Sequence, residues 1–136
     1  MKWKRIEKEF EQMKALFGMK QNGVRLVTPT EFKELSGVSL SHFCGRADRK
    51  NKIVTIRRKK PIRTIRNVIV HELAHCLFPS KPHWWIECFS YRIIPVKYYD
   101  GQVGRYTKRY RHTPDELPSK KRLIEMANKA AKRLDL

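Results

Sequence analysis

The sequence predicts a small α+β domain, and three observations support this prediction. The chain has 136 residues, a length typical of one domain. Hydrophobic residues make up 40% and aromatic residues 10%, which is enough for a folded core. Apolar residues with helical spacing at both ends and in the middle are combined with short β-prone runs in the first half. We therefore expect one domain over residues 1–136, with a small twisted sheet and helices packed around it.

The N-terminal third predicts a helix, a short strand and a second helix. Over residues 2–18, apolar side chains recur every three or four positions, which is typical of an amphipathic helix ended by Gly18. The run 24–27 is β-prone, and Thr30 is a predicted cap for a short helix through Leu35. The apolar stripe of the first helix consists of Trp3, Ile6, Phe10, Met13 and Phe17.

The middle of the chain predicts a β-hairpin followed by two helices. Residues 41–47 and 52–58 flank a polar stretch and are expected to pair as strands. A helical apolar stripe then extends from Pro61 to about Phe78, and residues 83–94 are long enough for a second helix that Pro95 ends.

The C-terminal part divides into an irregular segment and a last helix. Residues 96–114 are rich in aromatic and basic side chains. Ser119 is a predicted cap for a helix with Leu123, Ala127 and Ala130 on one side. Residues 96–136 thus form a basic C-terminal segment and helix, for which no role in the predicted site is assigned.

The central helix carries an HExxH motif, formed by His71, Glu72 and His75. Residues four apart lie on one face of a helix, so both imidazoles can bind one ion, and Zn²⁺ suits such nitrogen ligands. Glu72 follows the first histidine directly and can reach a water molecule without binding the metal. The motif therefore predicts metal-assisted hydrolysis with Glu72 as the general base.

A catalytic zinc site needs a third protein ligand, and two residues compete for this role. Around Glu87, the stretch Ile86-Glu87-Cys88-Phe89-Ser90 resembles the gluzincin metallopeptidases, whose HExxH helix is followed by a helix that donates a Glu. The single-domain minigluzincins are the most similar in size and layout, over about residues 41–94. This resemblance implies a zinc peptidase with His71, His75 and Glu87 as the ligands, acting on a peptide or protein.

The alternative third ligand is His83, four residues before Glu87. With His83, the chain resembles the SprT-like proteases, in which a histidine beyond HExxH completes the metal site. Because the two residues lie on one helical face, the one that does not bind the metal is expected to support the other.

The charge of the chain suggests a second class of function. Thirty-one Lys and Arg against thirteen Asp and Glu give a formal charge of +18, and such a field attracts polyanions. The alternative interpretation is a basic nucleic-acid-binding module, or a SprT-like protease that acts on protein bound to DNA. The three cysteines are an odd number without a CxxC pair, which predicts reduced thiols rather than a disulfide framework.

The expected location is the cytoplasm, without membrane association. The N-terminal residues lack the apolar stretch of a secretory signal, and no run approaches the length of a membrane span.

The size of the domain and the minigluzincin resemblance also suggest latency. A small peptidase domain has an open cleft, and residues 96–118 contain potential ligands such as Tyr98, Asp100 and His112. The sequence therefore suggests a zymogen-like arrangement in which this segment partly covers the metal. The competing interpretation is that the segment completes the sheet and packs the last helix.

Overall fold

A computed structural model describes residues 2–59, 62–96 and 117–136. This part of the chain has the predicted α+β architecture, with five helices and a three-stranded mixed sheet. In chain order the elements are α1 (Trp3–Leu16), β1 (Arg25–Leu26), α2 (Pro29–Ser36), β2 (Gly45–Asp48), β3 (Ile53–Ile56), α3 (Ile62–Leu77), α4 (His83–Ile93) and α5 (Lys120–Leu134).

Both N-terminal helices end where glycine permits a left-handed backbone. Gly18 follows α1 with a φ of 68°, and Gly37 caps α2 with a φ of 78°. The predicted cap of α2 was wrong by two residues, because the hydroxyl of Thr28, not Thr30, accepts a hydrogen bond from the Glu31 amide at 3.2 Å. Pro29 explains this difference, since its fixed φ suits the first helical turn and α2 starts there.

The turn between α1 and β1 is held by a buried lysine. Lys14 is 1% exposed, and its ammonium group donates hydrogen bonds to the carbonyl oxygens of Gln21 at 2.7 Å and Val24 at 2.8 Å. Burial lowers the pKa of Lys14, while the nearby Glu11 carboxylate raises it. These bonds fasten the end of α1 to the chain that leads into the sheet.

The sheet has the order β1-β3-β2, with β3 in the centre. β1 is parallel to β3 and β2 is antiparallel to it, and all four residues of β3 are buried. Val54 and Ile56 belong to the main core with α3, whereas Ile53 packs with Val27 and Phe32 of the α2 side. The predicted hairpin is confirmed, although its strands are shorter than 41–47 and 52–58.

One edge of β2 is left without a strand partner in the described sheet. The Arg57 amide donates to the Cys44 carbonyl at 2.8 Å, so that pair is hydrogen-bonded across the hairpin. Pairing alternates along an antiparallel ladder, and Gly45 opposite Ile56 and Ala47 opposite Val54 are therefore the non-bonded pairs. The amide and carbonyl groups of Gly45 and Ala47 therefore point away from β3, toward the open edge.

The long helix α3 lies at the centre of the molecule, in contact with α1, α4, α5 and two strands. Ser119 caps α5 as predicted and accepts a hydrogen bond from the Arg122 amide at 3.2 Å. The buried residues of α5, which include Leu123 and Ala127, belong to the main core. The aromatic and basic segment expected to cover the cleft lies almost wholly in 97–116, outside the described residues.

Among the described helices, none combines the length and the apolar character that a membrane crossing requires.

Candidate metal centre

Two consecutive helices carry the candidate site. α3 contributes His71, Glu72 and His75, and α4 contributes His83 and Glu87. Aromatic contacts hold α4 against the end of α3, because the Phe78 ring lies 5.1 Å from that of Trp85 and 5.3 Å from that of Phe89, between ring centroids. This packing turns the first residue of α4 toward the two histidines of α3.

Three histidines converge at this helix junction. The Nε2 atoms of His71 and His75 lie 3.0 Å apart, as the spacing of four residues predicts. The His83 ring lies 4.9 Å from the His71 ring and 5.3 Å from the His75 ring, between centroids. One ring nitrogen from each residue lies within 4.8 Å of the other two, which is close enough for a single metal ion.

Glu87 contacts the same group from its buried side. Its Oε1 atom lies 3.1 Å from Nε2 of His83 and 3.4 Å from Nδ1 of His71. The residue is 3% exposed, and its second oxygen, Oε2, is buried without a hydrogen-bond partner in the described part of the chain. The structure therefore brings both predicted candidates for the third ligand next to the histidine pair.

Glu72 is buried directly beside the histidines, with 6% of its surface exposed. Burial raises the pKa of its carboxyl to about 8, the negative charge of Glu87 adds to the rise, and Arg46 opposes it. A carboxyl group with a pKa in this range can both accept and donate a proton near neutral pH.

The edge strand passes close to Glu72, and Gly45 permits this approach. A Cβ atom on Gly45 would lie 2.7 Å from Cγ1 of Val68 and 3.2 Å from Cγ of Glu72. Sequence reasoning did not identify Gly45 or Arg46 as part of the site. A glycine at the start of a strand is a weak signal of close backbone approach, and the residue that it approaches is visible only in the fold.

The two histidines of α3 are held in their neutral form. Burial lowers the pKa of His75 to about 4, and the charges of His83 and Arg49 contribute. Burial also holds the pKa of His71 well below its usual range, with His75 and His83 acting in the same direction. Neutral imidazole is the form that binds a metal ion.

The buried histidines predict acid sensitivity of the metal-free protein. In the unfolded chain His75 titrates near pH 6.5, whereas in the folded chain it does so near 4. Between these values the unfolded state binds more protons, so the free energy of unfolding should fall as the pH is lowered from 6.5 to 4. Urea unfolding of the metal-free protein at several pH values measures this slope. His75→Gln should flatten it, and a slope unchanged by that substitution would contradict the assignment.

The cysteines remain outside the site chemistry. Cys44, Cys76 and Cys88 are free thiols, in agreement with the expected absence of a disulfide framework. Burial raises the pKa of Cys76 to about 12, with further contributions from Glu72 and Asp48, against the opposing effect of Arg49. The thiol of Cys76 is therefore protonated at neutral pH, which is unsuitable for binding a metal.

The hairpin is tied to the loop that follows α3. A guanidinium nitrogen of Arg49 donates to the carbonyl oxygen of Pro79 at 3.1 Å. This bond connects the β2–β3 turn to the segment between α3 and α4, which leads into His83.

Comparison of the chain with protein-family models, with curated proteins and with solved structures found no match.

Proposed function

We propose that this protein is a zinc-dependent metallopeptidase, with His71, His75 and His83 as the metal ligands and Glu72 as the general base. The observation that carries the proposal is the convergence of three imidazoles beside a buried carboxylate that follows the first of them. Three neutral nitrogen ligands that leave a further position open are typical of catalytic zinc sites. The buried, unpartnered Oε2 of Glu87 next to the histidines also fits a site that receives a cation.

The geometry favours His83 over Glu87 as the third ligand. Glu87 Oε1 faces Nδ1 of His71, whereas Nε2 of the same ring faces His75. A carboxylate on the ring nitrogen that does not bind the metal orients the imidazole and raises its basicity. In this assignment Glu87 is a positioning residue, and the chain follows the SprT-like pattern of ligands instead of the gluzincin pattern.

The reaction that fits this site is hydrolysis of a peptide bond. A bound Zn²⁺ would polarise the scissile carbonyl and lower the pKa of water. Glu72 accepts the proton of the attacking water and then donates it to the leaving amine, a role that suits its raised pKa. The low exposure of His71, Glu72 and Glu87 excludes bulk water from this side of the site.

The open edge of β2 suits an extended polypeptide substrate. The outward amide and carbonyl groups of Gly45 and Ala47 can bind a peptide as an additional strand. Because Gly45 lies against Glu72, a peptide on this edge would pass beside the proposed general base. The main-chain bonds provide affinity without selecting particular side chains.

Metal analysis of paired variants tests the ligand assignment. His83→Ala should lose zinc, whereas Glu87→Gln should keep it with an affinity lowered by about 10- to 100-fold, as expected for a residue that orients a ligand. His42→Ala is the matched control, because His42 is exposed and stacks on Phe43 outside the three-histidine group. Zinc lost from Glu87→Gln but kept by His83→Ala would assign the third position to Glu87.

A further inference from the structure

A positively charged groove lies between α1 and α3. It has a volume of about 720 Å³ and is lined by Lys4, Arg5, Lys8, Glu9, Gln12 and Arg66. Four of these six side chains are cationic and one is anionic. The groove is therefore a local concentration of the strong positive charge that the whole chain carries.

The single acidic side chain in the groove is already neutralised. Arg66 donates two hydrogen bonds to the Glu9 carboxylate, at 2.9 and 3.0 Å, in a bidentate ion pair. These bonds lower the pKa of Glu9, and the charges of Arg5 and Lys8 act in the same direction. The remaining charge of the groove is that of Lys4, Arg5 and Lys8.

The three remaining cations are available to a ligand. Lys4, Arg5 and Lys8 are exposed, and none forms an ion pair with a residue in the described ranges 2–59, 62–96 and 117–136. The acidic residues Glu7 and Glu11 lie within about 60° of Lys4 around α1, but neither is among the groove's lining residues, and Glu11 forms an ion pair with Lys14. The side of α1 that lines the groove therefore presents three free cations, besides the paired Glu9 and the neutral Gln12.

The groove lies away from the metal centre. Arg66 precedes His71 by five residues and His75 by nine, which rotates it by about 140° and 180° from these residues around α3. A ligand in the groove would therefore leave the three histidines and the β2 edge free. Binding at the two places can occur at the same time.

We propose that this groove binds the phosphate backbone of a nucleic acid. A row of cations along a helix suits a polymer of regularly spaced phosphates, and the guanidinium of Arg5 can bind a phosphate with two hydrogen bonds. The groove is shallow and contains no aromatic side chain, so it offers contacts to backbone and not stacking sites for bases. Binding is therefore expected to depend on salt and to show little sequence preference. This inference is independent of the proposed peptidase activity.

Fluorescence anisotropy with a labelled duplex of about 20 base pairs and with its single strand tests the proposal across a salt series. The double variant Lys4→Gln, Lys8→Gln should bind at least tenfold more weakly near 0.1 M salt, with a slope of log K against log salt that is smaller by about two. The matched control is Lys33→Gln, Lys50→Gln, which removes two exposed lysines from α2 and the β2–β3 turn. Circular dichroism shows whether both variants remain folded.

Each alternative result would overturn the groove as a nucleic-acid site. Equal weakening in both double variants would mean that binding follows net charge alone. If neither oligonucleotide binds at low salt, nucleic acid is not the ligand of the groove. Selective binding of phosphatidylserine vesicles would identify a membrane surface as the ligand instead. Loss of duplex binding confined to the groove variant, with zinc content unchanged, supports the proposal and separates it from the outcome of the peptidase tests.

Discussion

Replacing Glu72 by Gln should lower the rate of peptide cleavage by about 10²- to 10⁴-fold, the usual contribution of a general base, while leaving the zinc content unchanged. Gln has nearly the same shape as Glu but cannot accept the proton of the attacking water. Because burial already favours the neutral form of Glu72, the substitution should not destabilise the fold. The measurements are cleavage of a fluorogenic peptide library, zinc analysis and thermal unfolding.

Glu7→Gln provides the control for this experiment, because it makes the same chemical change at an exposed position of α1. Its cleavage rate should equal that of the unsubstituted protein. If Glu72→Gln cleaved the library as fast as this control, Glu72 would not be the base. If it lost its zinc, the effect on cleavage would have to be assigned to the metal site.

Gly45→Ala should destabilise the protein by about 1–3 kcal/mol, the usual cost of overpacking, and should also reduce cleavage. The added Cβ would lie 2.7 Å from Cγ1 of Val68, 3.1 Å from the carbonyl oxygen of Thr55 and 3.2 Å from Cγ of Glu72. β2 would have to move away from α3, which shifts the substrate edge relative to Glu72. Urea unfolding measures the first effect and cleavage kinetics the second.

The double variant Gly45→Ala, Val68→Ala distinguishes steric crowding from other causes. Removing Cγ1 of Val68 relieves the shortest of the three contacts. The double variant should therefore lose less free energy of unfolding than the sum of the losses in the two single variants. Strict additivity of the two free-energy changes would contradict the crowding argument. Unchanged stability of Gly45→Ala would show that β2 can withdraw without cost.

Local patterns were sufficient to predict most of the helices and the histidine pair. Over α3, the repeat of apolar residues and the positions of His71 and His75 both follow from helical periodicity. The cap of α5 at Ser119 was also predictable, since its hydroxyl bonds an amide three residues away. Helical periodicity and capping depend only on residues a few positions apart in the chain, so they can be predicted from the sequence.

The choice of the third ligand could not be predicted in this way. His83 and Glu87 are four residues apart on one face of α4, so periodicity treats them alike. How each of them is placed against the histidine pair depends on how α4 crosses α3, and the rings of Phe78, Trp85 and Phe89 set that crossing. The choice between the gluzincin and SprT-like patterns therefore depends on a tertiary contact, and the zinc content of the His83 and Glu87 variants tests it.

The burial of Lys14 was likewise hidden from the sequence. A lysine side chain in a helix is usually exposed, so the sequence gives no reason to expect Lys14 in the core. The fold makes it a buried donor to two carbonyl groups of the following turn. The close approach of Gly45 to Glu72 has the same origin, because it joins residues that are distant in the chain.

The proposed metal ligands, Glu72 and Glu87 all come from one uninterrupted stretch, residues 71–87, which contains the end of α3, a tight turn and the first part of α4. Closing such a short loop costs little conformational entropy, so the ligand set can assemble early during folding and without the sheet. The edge that would hold the substrate is built from β2, which must dock onto α3 from a remote part of the chain. If the proposed function holds, the metal site and the substrate edge form as separate events in folding, and an early bound ion would favour the helix pair onto which the sheet then packs.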